Sequence, residues 1–337
     1  MAGKKCAVVG YGYWGVNVAH TLCEVSAAEF YALCEIDCAR VELAQKTYPN
    51  LKHYTDFDAL LGDKNIECVF LITPPHTHFL LAKKVLDSGK HCFVEKPLCL
   101  QYAQALELYE LAEKKNLVLY CDHIFLHSSA VQYLKENLSD FGNIISITAR
   151  RINLGLFQAQ TDVIWDLAIH DLSIIDYLVG LEIRRASVFS TKYLNHPNPA
   201  LANISLELEN GVIVLIHVSW LSPTKVRELS IGGSNQSAIY DETKREKLKI
   251  YKSGVVVNEN LTRNDLYQKM VEYRLGETLS PMLPQKLALN ASIECFLTLI
   301  SEIENRARDN LIFYRTHTLR VVKALESLSE IQSRGEK

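Results

Sequence analysis

Glycine and proline are scarce, at 15 and 9 of 337 residues, which excludes collagen-like and low-complexity classes. No run approaches the roughly 18 consecutive apolar residues of a membrane-spanning helix. Charge of one sign is missing too: Lys plus Arg number 36 against 39 Asp plus Glu, a formal net charge of −3. A dedicated nucleic-acid binder shows a strongly basic domain, so neither nucleic acid nor a membrane is an expected partner. The nine cysteines contain no Cys-x-x-Cys pair and make no disulfide framework. Most sit in apolar runs such as Ile66-Glu67-Cys68-Val69-Phe70, where reduced cysteine acts as a small hydrophobe. That fits a cytoplasmic location. The basic start Met1–Lys5 resembles the front of a signal peptide. However, Cys6-Ala7-Val8-Val9 breaks at once into Gly10-Tyr11-Gly12, so the segment is read as a first strand.

At about 150 residues per domain, 337 residues suggest two domains. Apolar residues make up 48% and charged ones 22%, ordinary for a globular chain. In the first third, Cys6–Val9, Phe30–Cys34, Ile66–Ile72, His91–Val94 and Leu117–Cys121 read as strands. Helical segments lie between them. Asp37 reads as the N-cap of a helix through Lys46, and Thr55-Asp56-Phe57-Asp58 as a capping box with Asp in place of Glu. Ser88-Gly89 reads as the C-cap of Phe79–Leu86, and Gln101–Lys115 as a further helix. This alternation predicts βαβ units and a parallel sheet. The pattern changes near Cys121-Asp122-His123. Ala130–Leu138 and Trp165–Leu178 read as helices and Ile144–Arg151 as a strand. Strands follow from Ile183 to about Val257, with Asn210-Gly211 as a hairpin turn. Asn195–Pro199 reads as a loop, and Asn258–Pro284 stays unassigned. Lys286–Arg306 and Thr316–Ser333 close the chain as helices. The second part is expected to be α+β with a largely antiparallel sheet. The division places 1–122 in one domain and 123–337 in the other.

Gly10-Tyr11-Gly12-Tyr13-Trp14-Gly15 follows the first strand and opens the first helix. Such glycines allow a tight turn and let the backbone approach a pyrophosphate at a helix N-terminus. A Gly-rich turn without a ligand is the competing reading. Glu35 ends the second strand roughly 20 residues after Gly15, where a carboxylate binds the adenosine ribose hydroxyls. It repels a 2′-phosphate, so NAD is the expected cofactor and NADP the lesser candidate; Arg40 pulls the other way. Tyr13 and Trp14 fit a core pair, but next to the glycines they are expected beside the cofactor. Glu95-Lys96-Pro97 follows His91–Val94 at the carboxyl end of a parallel strand, where open sheets bind ligands. A lysine there can move a proton; a surface ion pair is the alternative. Asp166 and His170 stand at i and i+4 on one helix face, a pairing suited to acid–base work. A first-turn carboxylate beside a core histidine is the plainer reading. His76 with His78, and His123 with His127, have metal-like spacing without a cysteine or carboxylate shell, and no metal is expected.

Gly10–Gly15, Thr73-Pro74-Pro75-His76-Thr77-His78, Gly89-Lys90-His91 running into Glu95-Lys96-Pro97, and Asp166 with His170 together resemble the glucose-fructose oxidoreductase / inositol dehydrogenase / MocA (Gfo/Idh/MocA) family, from Lys5 to about Ser333. The resemblance implies an α/β Rossmann domain that binds NAD. It further implies an α+β C-terminal domain with an open-faced, mostly antiparallel sheet for substrate binding and oligomerisation. Lys96 would stand near the nicotinamide and the reacting hydroxyl, with His170 as the second acid/base group and Asp166 binding or orienting substrate. Thr73, Pro74 and His78 would line the cofactor, and Glu95 would lie near the nicotinamide ribose. More narrowly, Asp122–Leu126, Arg151-Ile152-Asn153-Leu154-Gly155 and Trp165–Ile174 are similar to the nucleotide-sugar branch. Its members oxidise a ring hydroxyl, often at C3, of UDP-linked amino sugars, or reduce the keto sugar. On that basis His123, Arg151 and Asn153 join Lys96, Asp166 and His170 as substrate-binding candidates. Arg151 and Asn153 would face a diphosphate or sugar acid, or else form a solvated strand end. Pro284-Gln285-Lys286-Leu287 departs from the family's Glu-Pro-Leu. The implied activity is NAD-dependent sugar oxidation or keto-sugar reduction in carbohydrate metabolism. An inositol or free-aldose dehydrogenase and a non-catalytic dinucleotide-binding regulator are the alternatives. The apolar alternation of Ile213–Val218 on an open sheet leads to the expectation of a homodimer or homotetramer.

Overall fold

Short apolar runs separated by helices settle into a parallel sheet when both of their faces are covered. The computed structural model describes residues 3–155, 157–158, 160–257 and 271–335. In it the runs of the first third become β1 (Lys4–Val9), β2 (Ala28–Cys34), β3 (Lys52–Tyr54), β4 (Cys68–Leu71), β5 (His91–Glu95) and β6 (Leu119–Asp122). They alternate with α1 (Tyr13–Glu24), α2 (Cys38–Thr47), α3 (Phe57–Gly62), α4 (Pro75–Asp87) and α5 (Tyr102–Lys114). The strand order is β3-β2-β1-β4-β5-β6 and every pairing is parallel. The order therefore reverses between β1 and β4.

Successive strand side chains point to opposite faces. Ala7, Val9, Val69, Leu71, Cys92 and Val94 join Val85 and Leu86 of α4 and Leu108 of α5 in one buried layer. Cys6, Val8, Phe70, Phe93 and Tyr120 face the other way, with Val18 and Leu22 of α1. Asp37 caps α2 by accepting the Arg40 amide at 3.0 Å, and Gly89 adopts the positive φ of 78° just past α4, both as expected. The capping box shifts by one residue: Asp56, not Thr55, caps α3, accepting the Asp58 amide at 3.0 Å. β3 has no counterpart in the sequence reading, because so short a strand carries no periodicity.

Beyond Ser128 come α6 (Ser129–Glu136), β7 (Ile144–Leu154), a π turn at Ile164–Ala168 and α7 (Ile169–Val179). Then follow β8 (Ile183–Lys192), β9 (Pro199–Leu208), β10 (Ile213–Ser219), β11 (Leu221–Gly233), β12 (Ser237–Asp241), β13 (Leu248–Tyr251), β14 (Gly254–Val257), β15 (Val271–Arg274) and β16 (Thr278–Leu279). The main sheet has the order β16-β13-β12-β11-β7-β10-β9-β8, antiparallel except where β7 meets β10. Asn210-Gly211 turns β9 into β10, with Gly211 at φ 84°. Alternation buries Val214, Ile216 and Val218 on one face and leaves Ile213 and Leu215 exposed on the other. The unassigned stretch Asn258–Pro284 contains β15 and β16; its residues 258–270 lie outside the described ones.

The last two helices are α8 (Ala288–Glu304) and α9 (Asp309–Gly335). α8 lays Leu289, Ile293, Phe296 and Ile300 on the Phe70–Phe93–Tyr120 face of the parallel sheet. Phe296 meets Phe70 and Phe93 nearly edge-on, with ring centroids 5.4 and 5.6 Å apart. Each such fully buried side chain contributes about 1.5–3 kcal/mol. The chain accordingly divides into Met1–Ser128 with Lys286–Glu326, and Ser129–Gln285 with Ser327–Lys337. This differs from the division at residue 122, which leaves the whole C-terminal part in the second domain. Helical periodicity cannot say which sheet a helix will cover.

Candidate active site

Open parallel sheets bind ligands outside the carboxyl ends of their strands, where the strand order reverses. Gly10 follows β1 and Thr73 comes just after β4, the two strands at that point. Gly10 sits at φ 95°, and a Cβ there would lie 2.6 Å from the Ile72 carbonyl oxygen. A Cβ on Gly15 would lie 2.1 Å from the Gly10 carbonyl oxygen, so α1 packs this closely only without one. At Gly12 the surroundings are open, the nearest atom being Arg40 Nη1 at 3.5 Å. Gly12 is also the N-cap of α1; it provides no side-chain cap, and the first turn has no acid. The helix start keeps its unsatisfied N–H groups and the positive end of its dipole. That fits the pyrophosphate of a dinucleotide.

Glu35, just after β2, is buried. Its carboxylate accepts the amides of Tyr11 at 2.7 Å, Ile36 at 2.8 Å and Asp37 at 3.0 Å. The Arg40 guanidinium stands 4.0 Å away. The carboxylate expected at the ribose thus also ties the glycine loop to the end of β2. Tyr13 projects into solvent, 88% exposed. Trp14 is half-buried and packs against the buried layer beneath α1 and α8. The Thr77 hydroxyl donates to the Pro74 carbonyl at 2.7 Å, so the Thr73 hydroxyl, 2.7 Å from it, donates to Thr77. Pro74 is the N-cap of α4. His78 does not line an open crevice. It is fully buried, with Nδ1 2.7 Å from the Pro97 carbonyl and Nε2 2.7 Å from the Thr73 carbonyl. It joins the loops after β4 and β5, and so positions Thr73 and Lys96 instead of touching a cofactor.

Glu95 ends β5 beside Asp122 at the end of β6, and Lys96 follows at once. Both carboxyls are raised above the usual carboxylate range. Burial does most of this for Glu95, followed by the charge of Asp122; burial does it for Asp122. The Lys96 charge partly offsets the effect at both, helped by the Ser292 hydroxyl at Asp122. Two adjacent carboxyls, Asp122 buried and Glu95 half-buried, hold a shared proton more readily than they both ionise. Lys96 therefore leaves the sheet edge next to this carboxyl pair. His123 is buried with its ring edge-on to His317, centroids 4.9 Å apart, and burial holds its pKa well below the usual imidazole value. Its place is the interior, not the substrate surface expected of it.

In the second unit, Arg151 departs from expectation. Its Nε lies 3.2 and 3.1 Å from the Asp171 carboxylate oxygens and its Nη2 2.8 Å from Oδ1, both side chains being buried. A guanidinium enclosed this way is not presented to a diphosphate. Asn153 is half-buried near the end of β7. Asp166 lies in the π turn, where the Ile169 amide reaches back to the Ile164 carbonyl. Such turns inside helices recur at functional positions. Asp166 Oδ2 accepts the Trp220 indole N–H at 3.0 Å. His170 follows at the start of α7, so the helix expected over Trp165–Leu178 opens with a wider turn at Asp166. Asp122, Ser292 and Trp220 escape the sequence reading as site residues. An acid closing an apolar strand is a signal for Asp122, whereas Ser292 and Trp220 are revealed only by tertiary contacts.

Residues 4–123 match the model of an oxidoreductase family with an NAD-binding Rossmann fold, and residues 151–239 that of the GFO/IDH/MocA C-terminal domain. The UDP-N-acetylglucosamine 3-dehydrogenase of Acidithiobacillus ferrooxidans is 30% identical over 250 residues, 72% of this chain and 75% of that relative. An uncharacterised oxidoreductase of Schizosaccharomyces pombe is 42% identical over 118 residues, but these span 34% of this chain and only 32% of the relative. The solved structure of the Acidithiobacillus enzyme superposes with a TM-score of 0.79 at 24% identity, covering 98% of each chain. GenD2 from gentamicin A biosynthesis, solved with NAD, gives 0.80 at 18% identity, covering 99% of this chain and 95% of its own. KijD10, a 3-ketoreductase from Actinomadura kijaniata solved with TDP-benzene and NADP, gives 0.79 at 16% identity and 97% of each chain. At such identities the solved structures speak to the fold alone.

Proposed function

Since the chain belongs to the glucose-fructose oxidoreductase / inositol dehydrogenase / MocA family of NAD(P)-dependent oxidoreductases, we propose that it transfers a hydride between nicotinamide and a ring carbon of a sugar, in the first instance a UDP-linked sugar at C3. One observation carries the reading: the open helix start at Gly12, Thr73, Glu95 and Lys96 gather on one carboxyl edge, at the reversal point of a parallel sheet. The bound dinucleotide supplies or accepts the hydride. The amides of Gly12 and the first turn of α1 hold its pyrophosphate. Glu35 holds the adenosine ribose and favours NAD over NADP by repelling a 2′-phosphate. Thr73 and Pro74 line the cofactor, and Glu95 lies near the nicotinamide ribose. Lys96 takes the hydroxyl proton in oxidation and returns it in reduction. His170 is the second acid/base residue, and Asp166 and Asn153 bind or orient substrate.

The UDP-linked substrate is supported by the named activity of the Acidithiobacillus relative. The enclosure of Arg151 by Asp171 favours a second reading, an unlinked polyol or aldose, because that guanidinium is not offered to phosphate. The nine free cysteines support a reducing cytoplasm. Phe189, Ile213 and Leu215, exposed on the second sheet, support self-association, which light scattering reads directly. The deciding experiment follows NAD reduction with UDP-N-acetylglucosamine, myo-inositol and free aldoses. Turnover of the UDP sugar is expected. Turnover confined to unlinked sugars selects the second reading, and none with any sugar overturns both.

A further inference from the structure

We propose that Ser292 and Tyr120 form a buried proton relay between the Glu95–Asp122 carboxyl pair and His127, serving the proton that the hydride transfer releases or consumes at Lys96. The inference rests on the proposed function for its reaction, but its geometry belongs wholly to the first unit. Tyr120 and Asp122 are two residues apart on β6 and so share one face of the strand. That face is covered by α8, which places Ser292 one turn before Phe296.

The contacts form a chain. The Ser292 hydroxyl donates to Asp122 Oδ1 at 2.7 Å. Ser292 Oγ lies 3.1 Å from the Tyr120 hydroxyl, and that hydroxyl lies 2.6 Å from His127 Nε2. Ser292 and Tyr120 are fully buried, whereas His127 keeps part of its surface exposed. Asp122 Oδ2 is buried with no donor among the described residues, the setting in which a carboxyl retains a proton. Each hydroxyl has only one proton to give. If Ser292 gives its proton to an ionised Asp122, Tyr120 must give its own to Ser292. His127 must then present Nε2–H to Tyr120. The four groups therefore have a single consistent direction, which reverses when Asp122 is protonated.

In the oxidation direction, a proton leaving Lys96 enters the carboxyl pair. The Asp122 O–H gives its proton to Ser292 Oγ as Ser292 gives its own to Tyr120 and Tyr120 gives its own to His127 Nε2. His127 releases its Nδ1 proton to solvent. One proton enters and one leaves, both hydroxyls end as they began, and no electrons move. Reduction runs the same hops backwards. A relay of this kind needs a neutral imidazole at its mouth. His127 is surrounded by Tyr120 on β6, Tyr314 and His317 on α9, Lys286 before α8, and His123 on its own segment. Burial, Lys286 and His317 hold its pKa down to about 4.

The test has two arms. In the first, the His127 tautomer is read by nitrogen NMR on the full chain in alkaline buffer without cofactor. The wild type is expected to carry Nε2–H. In Ser292→Ala the Tyr120 hydroxyl loses the Ser292 oxygen and turns onto Nε2, the nitrogen 2.6 Å away, so Nδ1–H is expected. An Nδ1–H wild type, or no change in the variant, overturns the relay. In the second arm, Ser292→Ala and Tyr120→Phe, which remove no charge, are assayed with NAD and UDP-N-acetylglucosamine. Expected is a loss in kcat of about tenfold with KM unchanged, smaller than the 10²–10⁴ of a direct acid/base group. Unchanged kcat in both variants, with Lys96→Ala inactive, overturns the relay and leaves the proposed function standing. Wild-type turnover in Lys96→Ala overturns the proposed function instead, while the tautomer arm still judges the wire.

Discussion

In the first unit most candidate groups are placed by a strand end: Gly10 after β1, Glu35 after β2, Thr73 after β4, Lys96 after β5 and Asp122 on β6. In the second unit the candidates are placed by partners far away in sequence: Arg151 by Asp171, Asp166 by Trp220. A parallel sheet lines up its carboxyl ends by topology alone, so single substitutions there should alter chemistry more than folding. An antiparallel sheet with a buried ion pair depends on that pair, so breaking it should alter folding first.

The largest effect is expected at Lys96. Lys96→Ala should lower kcat by about 10²–10⁴, the scale of a general acid/base group, while urea unfolding of the chain stays close to wild type. A comparable loss of stability would blur the contrast. Next comes Asp171→Ala, which strands a buried guanidinium and should cost about 3–5 kcal/mol in urea unfolding. Replacing both partners with Arg151→Met and Asp171→Leu should recover most of that loss; failure to recover would give the pair a role beyond its own neutralisation. Gly15→Ala is smaller, at about 1–3 kcal/mol, because the new Cβ meets backbone and α1 must move. It should weaken NAD binding by calorimetry more than it lowers the melting temperature.

The smallest expected effect is a pH dependence. Glu95 and Asp122 both sit above their unfolded pKa values. Their contribution favours the fold at low pH and is lost as pH rises from the ordinary carboxylate range toward neutrality and just above. Asp122→Asn removes one of the two titrations. Relative to wild type, the variant should therefore gain stability between about pH 5 and pH 8 in urea unfolding. A difference that stays flat across that window would deny the coupling.

The same contrast explains what the sequence could disclose. Local causes leave local marks. Gly10–Gly15, the acid at Glu35, the Asp37 cap and the Asn210-Gly211 turn can all be read in a short window, and each takes its expected conformation. The capping box missed by one residue because Thr55 and Asp56 are both competent caps. Tertiary causes leave no such mark. Nothing near Arg151 announces that Asp171 will enclose it, and nothing in α8 announces that Ser292 will meet Asp122. The same limit applies to His78, which became a bridge between two loops, because burial is decided by what packs on top.

Hydrogen–deuterium exchange of the full chain with and without NAD tests the central claim most directly, because it needs no substrate. Slower exchange is expected at the backbone amides of Gly12–Val16, with smaller protection near Thr73 and Lys96 at the same sheet edge. Unchanged exchange at Gly12–Val16 under saturating NAD, or protection confined to the second unit, would contradict it.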